Sequence, residues 1–232
     1  FAFVSPLLVT VYFRTLFDHP AMPDALRGYF NTFLGLVNGG MNVLLALPAI
    51  VAARWSVTAR RRDVVLFKLS WLYRMYWVGF FLSAAFLAER HPLAALALVT
   101  GGILLSWTAQ GANYALWVDY TGKILPPGTL GKVHGFRSLA GGIVTILALV
   151  AGMRLSRMFD FPSNFVLIFG IAASWALISH VMLILSRETD YPNTEPPVPW
   201  RRYLSSLLDT WRGDARIRTA VRSFMLLNIA MG

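Results

Sequence analysis

Long runs of apolar residues recur along the chain. Six of them, at 1–17, 28–52, 65–88, 92–118, 134–153 and 162–186, carry few charges, and a seventh opens at 219–232. A helix needs about 20 apolar residues to cross the ~30 Å hydrocarbon layer of a bilayer. Inside that layer every backbone N–H and C=O must find its partner within the protein, so such runs fold as helices rather than as open strands. With 56% hydrophobic and only 14% charged residues, against roughly 25% charged in an ordinary soluble domain, the chain has more apolar surface than a soluble core can absorb. The expected fold class is therefore all-α integral membrane, a six-helix transmembrane bundle plus the start of a seventh helix.

A net charge of +10 would suggest nucleic acid in a soluble protein, but here the basic residues gather at the ends of the apolar runs and report orientation instead. With the first loop outside, fifteen basic residues fall inside: Arg54, Arg60, Arg61, Arg62, Lys68, Lys123, Lys132, Arg137, Arg187, Arg201, Arg202, Arg212, Arg216, Arg218 and Arg222. Four fall outside, Arg27, Arg90, Arg154 and Arg157, while Arg14 and Arg74 lie within spans. The loops after the second, fourth and sixth helices are thus expected to be cytoplasmic, with the chain multi-pass in the plasma membrane. The absence of cysteine excludes disulfides and thiolate metal sites. The first run has no basic leader before it, which favours a span over a signal peptide.

Three units are expected: a transmembrane bundle over 1–186, a cytoplasmic linker over 187–215, and the start of a seventh helix over 216–232. In the linker, Trp200, Tyr203, Leu204, Leu207, Leu208 and Trp211 share one helical face, the pattern of an amphipathic helix lying on the membrane surface or packed on a soluble domain. The chain opens at Phe1 and stops at Gly232, each inside an apolar run. The expectation is a fragment whose carboxy-terminal half is missing.

One link stands out, "DYTGKILPPGTLGKVHGFRSLAGG" at 119–142. Pro126 and Pro127 stop the fourth helix, Gly128 and Gly131 permit a tight turn, and Lys132 and Arg137 hold it at the cytoplasmic face. His134, Ser138, Gly141, Thr145, Ala148 and Gly152 follow at three- and four-residue spacing, a small-residue face that suits close helix packing, whether static or mobile.

This link resembles that of the major facilitator superfamily, in particular bacterial members with prolines, glycines and basic residues between the fourth and fifth helices. The matching residues are Asp119, Gly122, Lys123, Ile124, Leu125, Pro126, Pro127, Gly131, Lys132, Gly135, Arg137, Gly141 and Gly142. "FPSNFVLIFGIAA" and "SRETDYP" are similar to the start and the exit of that family's sixth helix. The pattern departs at Gly128 and Leu130, where an acidic residue and an arginine are usual, and the loop "ARWSVTARRRDVV" lacks the family's glycine-rich signature. The resemblance implies the amino-terminal half of a twelve-helix permease. It further implies that Asp119, Lys123, Gly131, Lys132, Gly135 and Arg137 belong to a cytoplasmic gate, joined by Arg74.

Polar residues within spans are the informative ones, since each costs free energy in lipid unless it faces protein or water. Arg74 either snorkels towards the interface or pairs with Asp119. Trp107, Gln110 and Tyr114 share a face of the fourth helix, with Asn113 beside it. The resemblance places that helix along the central cavity, making these substrate-pathway candidates, with helix-to-helix hydrogen bonding as the competing role. Gly35 and Gly39 on the second helix suit packing, and Asn38 and Asn42 lie one turn apart beside them as further pathway candidates. His180 either titrates near neutral pH or is a hydrogen-bonded structural residue.

No carboxylate occupies the middle of a span, so any coupling ion has no visible carrier in this half. The functional expectation is a secondary active transporter moving a small solute by alternating access. The alternatives are a non-transporting sensor or scaffold on the same fold, and a polytopic enzyme. The scattered His19, His91, His134 and His180 and the unclustered acids do not assemble the groups such an enzyme needs. The expected partners are the lipid bilayer, an unidentified solute and the missing half, with no cofactor, metal or nucleic acid.

Overall fold

The computed structural model describes residues 5–56, 62–126, 128–185, 198–219 and 221–223, apart from a few side chains within helices, those of Asp119 and Lys123 among them. Pro127, the Pro-rich stretch 186–197 and the body of the seventh run, 224–232, lie outside the described residues. All the regular elements described are helices: α1 (Ser5–Phe17), α2 (Asp24–Arg27), α3 (Phe30–Ser56), α4 (Arg62–Leu82), α5 (Pro92–Ile124), α6 (Leu130–Met158), α7 (Ser163–Ile184) and α8 (Trp200–Gly213). A π-helical turn, Ser83–Leu87, continues α4.

Four helices are long and apolar enough to cross a membrane, over Phe30–Arg54, Pro92–Gly122, Leu130–Met158 and Ser163–Leu183. The described residues are thus all-helical, and their long apolar helices are compatible with a membrane protein. α1 is shorter, 13 residues or about 20 Å at 1.5 Å per residue. α4 has the length, but with Lys68 and Arg74 in its interior it is not among these four.

The helices outrun the apolar runs that predict them. α5 continues past 118 to Ile124, and α6 begins at Leu130 rather than 134. Leu125 is extended, as the residue before a proline prefers to be, and Gly128 takes φ 81°, a conformation open to glycine at no steric cost. Gly131 lies within the first turn of α6. Of the two glycines expected to permit the turn, Gly128 is the one in the left-handed conformation.

α5 packs against α3 and α4, α4 also packs against α7, and α1 touches α3 and α5. The main core joins Tyr12, Phe13, Leu16 and Phe17 of α1 to Phe80 of α4, Val99 of α5 and Phe165 and Phe169 of α7. Tyr12 lies 4.9 Å from Phe165 and 5.0 Å from Phe169, ring to ring. Its hydroxyl meets Ser83 Oγ at 2.9 Å, and Ser83 Oγ reaches Ala95 O, so the wide turn of α4 sits where α1 and α5 converge. A second, smaller core of Leu66, Leu116 and Tyr120 occupies the opposite end.

α6 meets α7, and of its own residues only Gly152 is buried. There Leu8 of α1 comes within 3.3 Å of where a Cβ would be, while Gly131, Gly135, Gly141 and Gly142 meet nothing within 4 Å. Of the two glycines on the small-residue face of α6, Gly152 is closely packed and Gly141 meets nothing within 4 Å among the described residues. α8 is helical where the spacing places it, and Leu204, Leu207, Leu208 and Trp211 are exposed. It is tied to the end of α3 by three contacts. Arg54 Nε donates to Val198 O at 2.9 Å, the Arg54 guanidinium lies 4.2 Å from the Trp200 ring, and Tyr203 OH donates to Ile50 O at 3.3 Å.

Candidate functional site

Between the two apolar cores lies a layer of polar side chains. Ser106 Oγ donates to Tyr73 O at 2.9 Å and Ser70 Oγ lies 3.3 Å from Asn113 Oδ1, which fixes α4 and α5 as antiparallel. Gly40 faces Leu104 while Gly111 faces Leu44 and Leu45, so α3 and α5 run parallel. This register brings Asn42 on α3 level with Trp107 and Gln110 on α5. Near the middle of the bundle three helices thus contribute Asn42, Ser70, Ser106, Gln110 and Asn113.

The substrate-pathway candidates divide on inspection. Asn113 is buried and turned onto α4, Trp107 packs against the main core, and Gln110 is half-buried. Tyr114 is 63% exposed, on the outside of the bundle. The helix-bonding role therefore describes Asn113, and Tyr114 keeps an open face. Asn38 and Asn42 are exposed and linked by Asn42 Nδ2 donating to Asn38 O at 3.2 Å. Beside them Gly35 and Gly39 meet nothing within 4 Å, so the described residues leave this pair of glycines without the close packing expected of it.

The gate candidates are not all brought together. Gly131, Lys132, Gly135 and Arg137 occupy the first turns of α6 and are exposed. The Arg137 guanidinium lies 5.7 Å from the ring of Trp117 on α5, a cation–π contact that fastens one side of the link to the other. The side chains of Asp119 and Lys123 lie outside the described residues, and their backbone belongs to the last turns of α5.

Arg74 is elsewhere. It sits level with residues 106 and 107, about 20 Å along α5 from residue 119 at 1.5 Å per residue, beyond the reach of an arginine side chain. Instead Nη2 donates to Ser179 Oγ of α7 at 3.1 Å and Nη1 to Ser70 O at 3.4 Å. The guanidinium leans one turn towards the start of α4 and is held there between α4 and α7. His180 beside it is 3% exposed, its ring 4.3 Å from Phe67 and 4.9 Å from Trp71. Among the described residues neither ring nitrogen has a hydrogen-bond partner, so these do not supply the bond expected of a structural histidine.

No family model, curated protein or solved structure matches the chain. The likeness to major facilitator proteins rests on the link and sixth-helix residues alone.

Sequence reasoning overlooked Ser70, Ser106, Ser179, Pro48 and Gly111. Serines are inconspicuous in apolar helices because their hydroxyls can bond back to the preceding turn. Two signals were present: Ser70 lies four residues before Arg74, and Pro48 interrupts an apolar run in α3.

Proposed function

We propose that the chain is the amino-terminal six-helix half of a secondary transporter of the major facilitator type, with α1, α3, α4, α5, α6 and α7 as its spans. It moves a small solute by alternating access. One observation carries the reading: Ser70, Ser106, Gln110 and Asn113 lie near mid-depth between two apolar cores of unequal size, with Asn42 at the same level on the open face of α3. Secondary transporters place their sites near the bilayer midplane and rock one bundle against another around them. The larger core would hold the end near α2 together, while the end bearing the 119–132 link has less to separate. The positive-inside bias puts that end in the cytoplasm, with the loops after α3, α5 and α7. In this reading Gln110, Tyr114, Asn38 and Asn42 face the solute, and the other half supplies any coupling carboxylate.

The absence of cysteine makes accessibility mapping direct. Single cysteines at Gly128, Glu89 and Gln110 would be labelled with a membrane-impermeant maleimide in right-side-out and inverted vesicles. Expected are labelling of Gly128 from the cytoplasmic side, of Glu89 from the other, and of Gln110 from both. Labelling of Gln110 from one side alone, under every condition, would put the sensor or scaffold reading ahead.

A further inference from the structure

Six side chains of α8, those of Trp200, Tyr203, Leu204, Leu207, Leu208 and Trp211, fall within an arc of about 140° at 3.6 residues per turn, yet no residue of the helix is buried. An apolar face left open in this way fits either another protein or a membrane. Arg201 and Arg212 stand along one border of the arc, with Arg202 behind it. None of the three joins an ion pair among the described residues, and Asp209 is the one acidic residue of the helix. Arg216, Arg218 and Arg222 follow, against Asp214.

The contacts to α3 choose between the two partners. Arg54 ends the long apolar segment Phe30–Arg54; its guanidinium lies over the Trp200 ring and its Nε donates to Val198 O. The first residues of α8 are thereby fixed at the level where that segment stops. Tyr203 OH donates to Ile50 O at 3.3 Å, and Ile50 lies about 6 Å inside that end at 1.5 Å per residue. Tyr203 belongs to the apolar face of α8, so that face is turned towards the level of the hydrocarbon beside α3. A soluble partner covering it would have to occupy the place of lipid. Tryptophan and tyrosine gather at this depth, where a ring meets acyl chains and its polar atom meets the headgroups.

We propose that α8 lies in the headgroup boundary of the leaflet at the carboxy-terminal end of α3 and binds anionic phospholipid there, its leucines and Trp211 among the acyl chains and Arg201 and Arg212 on the lipid phosphates. Charge complementarity selects the lipid. A basic border beside an apolar face adds attraction to an anionic surface to the burial of apolar area, whereas a neutral surface would leave the excess of arginines without counter-charge. The proposal rests on α3 being a span, as in the transporter reading, and on no other part of that reading.

The test places the full chain in bilayer discs of phosphatidylcholine, with or without phosphatidylglycerol. A single nitroxide is attached at Leu207→Cys, Arg202→Cys or Val43→Cys, and its depth is read from collisions with oxygen against a water-soluble nickel chelate. Val43, exposed on α3, should read deep hydrocarbon, Leu207 about 5–10 Å below the headgroups, and Arg202 water. Hydrogen exchange over residues 200–213 should be slower with phosphatidylglycerol present. Arg201→Gln and Arg212→Gln should each cut that protection by about five-fold, the contribution of one basic residue at an anionic surface, with exchange in pure phosphatidylcholine little changed. Leu207 in water while Val43 reads hydrocarbon would overturn the proposal and leave the span standing; Val43 in water would overturn both. Leu207 shielded from oxygen and chelate alike would show a protein cover instead of lipid. Equal protection in the two bilayers, or protection unchanged in both glutamine variants, would equally overturn the binding of anionic lipid.

Discussion

Gly111 is where the packing of this bundle is most exposed to a single methyl group. A Cβ added there would stand 2.9 Å from Leu44 O and from Leu45 C, and closer still to Leu45 O. Carbon–oxygen contacts settle at about 3.3–3.6 Å, and these atoms are backbone, so no rotamer change relieves the overlap. Pro48 explains why α3 presents carbonyls here: it lacks the N–H that would otherwise bond Leu44 O four residues back. Overpacking of this kind costs about 1–3 kcal/mol, and losing the Cα–H contacts to the carbonyls adds ~0.5–1 kcal/mol each. Gly111→Ala should therefore destabilise the bundle by about 2–4 kcal/mol, on the order of 10 °C in melting temperature for a chain of this size. Tryptophan fluorescence during heating in detergent micelles reads this directly, and Gly101→Ala on the same helix, with nothing within 4 Å, is the control. The control should be neutral or stabilising by ~0.5–1 kcal/mol. If Gly111→Ala melts with the parent chain, or no lower than Gly101→Ala, the close approach of α3 and α5 is not what holds them.

Three further outcomes follow from the same contacts. Gly128→Ala should cost about 1–2 kcal/mol in the melting assay because of its left-handed φ, whereas Gly131→Ala should not lower the melting temperature. Arg54→Ala removes a charge-assisted bond and a cation–π contact worth ~0.5–2 kcal/mol, so hydrogen exchange over residues 198–203 should accelerate by about three- to thirty-fold with α1 to α7 unchanged. Asn113→Leu leaves the Ser70 hydroxyl without its partner and should cost about 1–3 kcal/mol, and adding Ser70→Ala should restore part of that loss. A double variant that is additive would show the two side chains do not interact.

Helix existence was legible in this sequence because a run of apolar residues has few alternatives in lipid. The boundaries were less so. Hydropathy falls at Asp119, but Asp119, Tyr120 and Lys123 tolerate a helix, and α5 ends only where Leu125 precedes Pro126. α8 was readable as a helix within the 187–215 linker, since the spacing from Trp200 to Trp211 sets an apolar face against a charged one. The partner of Arg74 was not readable. Lipid and protein are equally apolar neighbours, so hydrophobicity does not say which side of α4 meets α7. Only the register of α4, α5 and α7 separates Ser179 from Asp119 as its neighbour.

The open faces of α3 and α6 bear on the same question. Asn38 and Asn42 lie exposed beside Gly35 and Gly39, and the stripe from Ser138 to Ala148 on α6 meets no close neighbour at Gly141. Exposed asparagines at membrane depth are costly against lipid, and glycine-rich faces are what other helices pack on. Yet α3 is already held through Gly40 and the Leu44–Leu45 carbonyls on its α5 side. The open faces are therefore surplus to the packing of this bundle. In the transporter reading they are where a second bundle rests, close-fitting because glycines admit it and separable because few large side chains interlock.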